Sequence, residues 1–493
     1  MSEPAASPAA RGVGTRAREL AAAVPLAIVV LLMFAVALRL ALWLAYSPAV
    51  INLADSGSYV GLAGDDLFGD ASRTVGYPIF LRAAHAISDQ IEFTIALQHL
   101  VGILTALVLY ATVRRLGAPV WAGAVAAAAI LLSLDQIFLE HAVMNEALFT
   151  LLFVAALYAA VRALDDSRPI AGPFGTHHAW IAAAAAAIAL AGWVRAVGVP
   201  VIALFVLWFA FACPGSWRAR LANAALSAAV GGAVLLVYFA MHASATGYFG
   251  LSEASGWALY SRVAPFADCT RFDPPEGTRA LCERTPIDAR PGADFYAHEP
   301  GSPARRLYGE PPAGNEQLAA FARRALLAQP LSYAADLGRD LVRYFHPGFA
   351  PQDFSGVGLE VLDVNRRAPG TEESLAAAMN AYYDDDVYEI DSDVETVADL
   401  QDVLRVHPKL LLVCVLLGAA GIVLAGDRLR WGLVLLLGTA LGMMVIAPAT
   451  AIWSARYAVP ASGPIVAAAA IGAWLLIGRL RARRADLTVA ARS

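Results

Sequence analysis

Residues 180–213 read WIAAAAAAIALAGWVRAVGVPVIALFVLWFAFAC, apolar almost without a break. As one helix rising about 1.5 Å per residue the stretch would measure roughly 50 Å, too long for one crossing of a hydrocarbon core about 30 Å thick. Arg195, Gly198 and Pro200 mark a break near its middle. The stretch therefore reads as two helices in a tight hairpin. That decision sets the parity of every other crossing.

Working outward, ten apolar segments are long enough to be read as spans: about 22–45, 93–113, 118–134, 147–164, 179–194, 197–213, 221–241, 408–425, 431–447 and 460–478. The arginines test the count. Arg11, Arg16 and Arg18 precede the first span. Arg114 and Arg115, Arg162 and Arg168, Arg218 and Arg220, and Arg428 and Arg430 fall in every second short connection. Arg479, Arg481, Arg483 and Arg484 follow the last span. With ten spans all these clusters share one side, which the positive-inside rule makes cytoplasmic, with both termini there. One span at 180–213 would break the alternation.

Composition agrees. Of 493 residues, 59% are hydrophobic and 16% charged, with mean hydropathy +0.58. A soluble chain cannot hide that much apolar surface, which points to an all-α polytopic protein of the plasma membrane. The net charge of −5 gives no basic footprint for nucleic acid. Lys409 is the only lysine, an arginine bias that fits a GC-rich bacterial genome. The basic residues before the first apolar run resemble a signal peptide, but the run is long enough to span and no convincing small-residue cleavage site follows, so it reads as an uncleaved span.

The expected layout is a cytoplasmic tail (1–21), a seven-span module (22–241) whose first outer loop is 46–92, an outer domain (242–405), three further spans (408–478) and a basic cytoplasmic tail (479–493). The outer domain holds 26 Asp plus Glu against 14 Arg, a net of −12 that leaves +7 for the remainder. Helical periodicity is expected at 315–345, broken at Pro330, and near 374–383 and 394–405; 262–314 reads as irregular loop, and strand signals are few. Cys269 and Cys282 are the only cysteines outside the spans, and an oxidising exterior would let them pair. Cys213 and Cys414 read as small apolar residues.

The first outer loop carries the chemistry. It reads Asn52-Leu53-Ala54-Asp55-Ser56-Gly57-Ser58-Tyr59, then Arg73-Thr74-Val75-Gly76-Tyr77-Pro78. A carboxylate at this boundary can take a proton from a hydroxyl arriving from water; it can equally cap an interfacial helix. Three later segments have similar character: Asn145-Glu146-Ala147-Leu148-Phe149, Arg195-Ala196-Val197-Gly198-Val199-Pro200 and Arg456-Tyr457-Ala458-Val459-Pro460. Glu146 reads as a second acidic site residue or as a cap of the fourth span. Arg195 and Arg456 can be read as interfacial snorkelling side chains.

An acidic residue after the first span, Arg-x-x-Gly-Tyr-Pro, and Arg-Tyr-x-x-Pro before the last span together resemble the GT-C superfamily. These are polytopic glycosyltransferases that use polyprenyl-phosphate sugars, including the protein mannosyltransferases and lipid A aminoarabinose transferases. The resemblance covers 22–241 and 408–478, and seven spans before the large loop match the mannosyltransferase-like module. Asp268-Cys269 and Cys282 look like an actinobacterial subset of carrier-dependent enzymes. One departure counts against protein mannosylation: some relatives carry two adjacent acidic residues where Asp55 is followed by Ser56.

The resemblance implies an inverting transfer of a monosaccharide, hexosyl or pentosyl, from a polyprenyl-phosphate donor to an extracytoplasmic hydroxyl on glycan, lipid or protein during envelope biogenesis. Asp55 would be the general base, with Glu146 orienting it or the acceptor. Arg73, Arg456, Arg195 and Arg39 would hold the donor phosphate, a task suited to the guanidinium fork; Arg39, deeper in its span, could instead serve a buried pair or reach the outer surface. Tyr59, Tyr77 and Tyr457 would position substrate. Glu140 and His141 are metal-ligating types, yet two residues do not make a site, so a divalent cation is the one cofactor left open. The acidic run Asp384-Asp385-Asp386, Asp391 and Asp393 lacks a calcium-loop frame and reads as a solvated loop. His346-Pro347 reads as a lid element or a packed helix end. The rival readings are a flippase or transporter for lipid-linked sugars, expected to show polar residues within spans and related halves, and a non-catalytic envelope-assembly protein.

Overall fold

The computed structural model describes residues 25–47, 49, 53–165, 175–346, 379–383, 391–392, 400–401 and 403–490. Arg11, Arg16, Arg18, Asn52, Arg168, Pro347, Asp384–Asp386 and Asp393, with most of the helices expected near 374–383 and 394–405, lie outside these residues. The elements in chain order are α1 (Leu26–Ala45), β1 (Tyr46–Ser47), α2 (Leu53–Gly64), α3 (Gly76–His85), α4 (Ile91–Arg115), α5 (Val120–Leu131), α6 (Leu134–His141), α7 (Glu146–Asp165), α8 (Thr176–Val194), α9 (Gly198–Ala212) and α10 (Trp217–Thr246). Residues 242–405 supply α11 (Ser255–Val263), α12 (Ala293–His298), α13 (Pro303–Tyr308), α14 (Asn315–Ala328), α15 (Pro330–Arg343) and β2 (Asp391–Ser392). The chain then forms α16 (Pro408–Leu424), α17 (Asp427–Thr450) and α18 (Val459–Ala490).

The protein is an all-α polytopic membrane protein. Seven helices (α1, α4, α7, α8, α10, α17 and α18) are long and apolar enough to cross a membrane, and α5 with α6 passes as a pair bent by 47°. The remaining two expected segments are shorter apolar helices, α9 and α16. The bend after α5 has a local cause: Ser133 turns extended, and the Leu134 amide bonds the carbonyl of Leu404 at 2.7 Å instead of continuing the helical ladder. The helix α18 continues past the arginines of the expected tail. Strand structure among the described residues is one antiparallel pairing of β1 with β2.

The break at Arg195 is tight because it is built on glycine. A Cβ on Gly198 would lie 2.6 Å from the Gly192 nitrogen, so only two glycines let α8 and α9 meet this closely. Small residues also join α16 to α18, where a Cβ on Gly472 would lie 2.0 Å from the Leu417 carbonyl. Helices in lipid gain little from apolar burial, and close backbone approach through such residues gives them dispersion contacts instead.

The segment 242–405 has its own core, centred on Trp257, Tyr260, Tyr296, Leu318 and Phe321. The stretch 262–314, expected to be irregular, contains the short helices α12 and α13 and two 3-10 turns. Cys269 and Cys282 form a disulfide beside this core, with Cα atoms 5.9 Å apart. Arg262, fully buried, pairs with Asp336 at 2.8 Å and with Asp340, fixing α11 to α15. The Tyr333 hydroxyl donates to the Ala449 carbonyl at 3.0 Å, tying α15 to the end of α17.

Candidate active site

Five charged side chains from five separate segments converge. Asp55 comes from α2, Arg73 from the turn before α3, Glu146 from the first position of α7, Arg195 from the cap of α8, and Arg456 from the 3-10 turn before α18. Arg73 Nη2 lies 2.5 Å from Asp55 Oδ1, and Arg456 Nη1 donates to Asp55 Oδ2 at 2.8 Å. Arg195 pairs with Glu146, and Arg456 Nη1 also lies 3.8 Å from Glu146 Oε1. Arg456 therefore bridges the two carboxylates.

The motif residues explain why the segments meet here. A Cβ on Gly76 would lie 2.6 Å from the Trp193 carbonyl carbon, so the glycine of Arg-x-x-Gly-Tyr-Pro lets the first loop rest on the backbone just before Arg195. The Val194 carbonyl accepts from Thr74 Oγ1 at 2.9 Å and from Asn145 Nδ2 at 3.0 Å. One carbonyl thus holds the neighbours of Arg73, Glu146 and Arg195 together. Ser56 Oγ donates to the Val143 carbonyl at 3.0 Å, tying α2 to the same turn. Thr74, Asn145 and Ser56 escaped selection as site residues from sequence because each works through a partner distant in the chain.

Three guanidiniums face the two buried carboxylates, an excess of one positive charge, with a third carboxylate, the 27% exposed Asp70, 3.9 Å from Arg73 Nε. The cluster is buried: Asp55 is 8% and Glu146 1% exposed. Burial alone would raise the Asp55 carboxyl, but Arg73 and Arg456, with Arg195 behind them, outweigh it and hold it well below the usual carboxylate range. Burial raises the Tyr59 phenol, which stays protonated. Arg73 Nε, Arg456 Nε and Glu146 Oε2 are buried with no hydrogen-bond partner. Buried polar atoms are nearly always satisfied, and unused guanidinium donors of this kind are chemically suited to an anion.

No family model matches the chain, and no curated protein matches it in sequence. Among solved structures it is similar to the oligosaccharyltransferase AglB of Archaeoglobus fulgidus, at 16% identity and TM-score 0.44 over 94% of this chain and 51% of that one. It is also similar to ArnT of Cupriavidus metallidurans bound to undecaprenyl phosphate, at 15% identity and TM-score 0.32 over 88% and 77%. The chain spans about half the length of AglB. Both TM-scores lie below 0.5, so neither overlay assigns a role to a residue here.

Aromatic rings line the cluster. Arg73 stands 5.7 Å from the Tyr59 ring centroid and Arg195 5.1 Å from that of Tyr457. The Tyr59 hydroxyl accepts from Asn145 Nδ2 at 2.6 Å. Tyr77 lies one layer back: its ring packs edge-on against Tyr59 and its hydroxyl donates to Gln98 Oε1 at 2.7 Å. From the outer domain comes Tyr344, next to the exposed His346. Its buried hydroxyl has no hydrogen-bond partner, it interacts electrostatically with Tyr457 and Arg195, and its ring lies 5.4 Å from Trp453.

Arg39 is placed elsewhere. Its Nε and Nη2 donate to Glu140 at 2.9 and 3.0 Å, and its Nη1 donates to the carbonyls of Ala35 and Leu131. Glu140 also meets His99 Nδ1 at 3.2 Å and Gln136 Nε2 at 3.1 Å; His99 Nε2 lies 3.1 Å from His141 Nδ1. Arg39, Gln98 and His99 put polar groups inside α1 and α4. Gln98 Nε2 donates to the carbonyls of Glu140 and Ala142 at 2.9 and 2.7 Å, connecting this network to Tyr77 and to the turn before Glu146. Among the described residues no group of three or more His, Cys, Asp and Glu is arranged to hold a metal ion.

Proposed function

We propose that the chain is a membrane glycosyltransferase that moves a monosaccharide from a polyprenyl-phosphate carrier to an extracytoplasmic hydroxyl acceptor. The observation that carries the reading is the buried cluster of Asp55 and Glu146 under Arg73, Arg195 and Arg456, net positive and with guanidinium N–H groups unpaired. The donor phosphate takes the free donors of the arginines. Asp55 accepts the proton of the acceptor hydroxyl as its oxygen attacks the anomeric carbon with inversion. The leaving carrier phosphate is a stable anion and needs no general acid, which is why one base suffices where a glycosidase uses two carboxylates. The arginines stabilise the charge that develops on it.

In this reading Glu146 holds Arg195 and Arg456 in place, Tyr59 and Tyr457 form the walls, and Tyr77 backs Tyr59. Arg39 has a structural partner in Glu140 and no part in holding phosphate. The 242–405 domain brings Tyr344 to the cluster, excludes water and selects the acceptor. The chain is plasma-membrane protein with both termini inside and that domain outside. The resemblance in the first-loop and last-span motifs supports the same chemistry.

The test uses purified protein in lipid with a panel of labelled polyprenyl-phosphate sugars and envelope extract, wild type beside Asp55→Asn, both checked for folding. Transfer of one sugar by wild type and its loss in folded Asp55→Asn is the expected result. Movement of the lipid across the bilayer without release of carrier phosphate would replace the transferase by a flippase.

A further inference from the structure

We infer that the site binds the released carrier phosphate together with one proton, held between Asp55 and the phosphate, so that departure of the carrier is coupled to departure of that proton. The inference rests on the reading that the arginine cluster takes the donor phosphate.

The argument is one of charge in a buried place. The groups facing Asp55 are Arg73 from the turn before α3, Arg456 from the turn before α18, Arg195 from the cap of α8, Glu146 from α7 and Tyr59 from its own helix. With Tyr59 neutral, they and Asp55 sum to one positive charge; Asp70, 27% exposed, lies outside them, 3.9 Å from Arg73 Nε. A sugar phosphodiester carries one negative charge and brings the site to neutrality. During transfer the acceptor oxygen forms a bond to the anomeric carbon, and the bond from that carbon to the phosphate oxygen breaks. The bonding pair stays on that oxygen. The carrier becomes a monoester dianion, and the acceptor proton moves to Asp55.

With the proton on Asp55 the protein side carries two positive charges against the dianion, so the site is neutral again. A loss of that proton while the dianion stays would leave a net negative charge in a buried cluster, and burying unbalanced charge is costly. Geometry supplies the means. Both Asp55 oxygens are taken by arginines, Oδ1 by Arg73 and Oδ2 by Arg456, while Arg73 Nε and Arg456 Nε make no hydrogen bond, the nearest carboxylate to Arg73 Nε being Asp70 at 3.9 Å. A dianion on those guanidiniums draws the same cations from the carboxylate, and a carboxylate relieved of its cations holds a proton more strongly.

The reverse event is binding of the free carrier to the resting protein, and it needs no turnover to measure. The full chain in lipid nanodiscs would be titrated by calorimetry with undecaprenyl phosphate, with its methyl phosphodiester and with inorganic phosphate. Two buffers of different ionisation enthalpy would be used near pH 8, above the second pKa of about 6 of a phosphate monoester. The expected result is uptake of about one proton with the monoester and none with the diester. Asp55→Asn should still bind the monoester with the uptake lost. Inorganic phosphate should take the same proton at an affinity at least tenfold weaker. Proton-free binding of the monoester, equal uptake with the diester, uptake unchanged in Asp55→Asn, or no binding of any phosphate would overturn the inference. The wild-type contrast between monoester and diester stands even if the variant fails to fold. Equal affinity for inorganic phosphate would make this a free-phosphate site and overturn the carrier assignment. Proton-linked binding in a protein that transfers no sugar would keep the inference and end the transferase reading. Sugar transfer without the linkage would do the opposite.

Discussion

A carboxylate gripped by two guanidiniums is always ionised where enzymes work, and that makes its pH behaviour specific. The folded pKa of Asp55 is depressed below its ordinary value of 3.8. Its contribution to stability is therefore fully present above the ordinary carboxylate range and is lost only as pH falls below it. For wild type, kcat/KM, which reports the free enzyme, should show no acid limb from Asp55 above about pH 5. Arg456→Met removes one of the charges that lower it, and the limb should move up in pH. Arg456→Lys should lower kcat/KM about 100-fold, since one ammonium cannot serve Asp55, Glu146 and an anion as a fork does. Steady-state kinetics over pH would check both.

At the scale of elements, the sequence carried the motifs but not the links between them. Asp55, Arg73, Glu146, Arg195 and Arg456 were legible because each sits in a short pattern at the end of an apolar run. Gln98 was not, because one amide inside an otherwise apolar span shows its purpose only when its partners, the carbonyls of Glu140 and Ala142 and the hydroxyl of Tyr77, arrive from elsewhere. For Arg39 the sequence leaves open a phosphate ligand and a buried pair; the pair is the arrangement found, and its partner Glu140, 101 residues away, is not recognisable from the sequence. Gln98→Met keeps the shape and removes the bonds. It should lower kcat about tenfold with donor KM little changed, because Arg73 and Arg456 are held by other elements. Gly76→Ala forces a methyl onto the Trp193 backbone and should cost about 1–3 kcal/mol. A lower melting temperature with transfer activity lost would be its signature, since the displaced loop carries Arg73.

For the whole molecule, span locations were legible from hydropathy alone, while the bend between α5 and α6 was not, because its cause is the carbonyl of Leu404. The outer domain was the least readable part. Its core depends on long-range packing of Trp257, Tyr260 and Phe321, and its short helices carry little periodicity. The disulfide closes a loop of 13 residues, so a Cys269→Ser, Cys282→Ser double variant should lose about 2–3 kcal/mol of outer-domain stability. Limited proteolysis should then cut that domain first. Membrane-impermeant labelling of single cysteines placed at Arg279 and Arg483 should mark the first from outside and leave the second protected.

Arg456 meets Asp55 across 401 residues of chain, and this separation has a consequence for how the protein is made. Asp55 and Glu146 each have an arginine close by in the order of synthesis, Arg73 and Arg195, so a nascent chain can neutralise them in pairs as its early helices enter the bilayer. The bridging arginine is translated after both pairs. The two pairs therefore precede their bridge in the order of synthesis, and the cluster closes only when the turn before α18 docks against them.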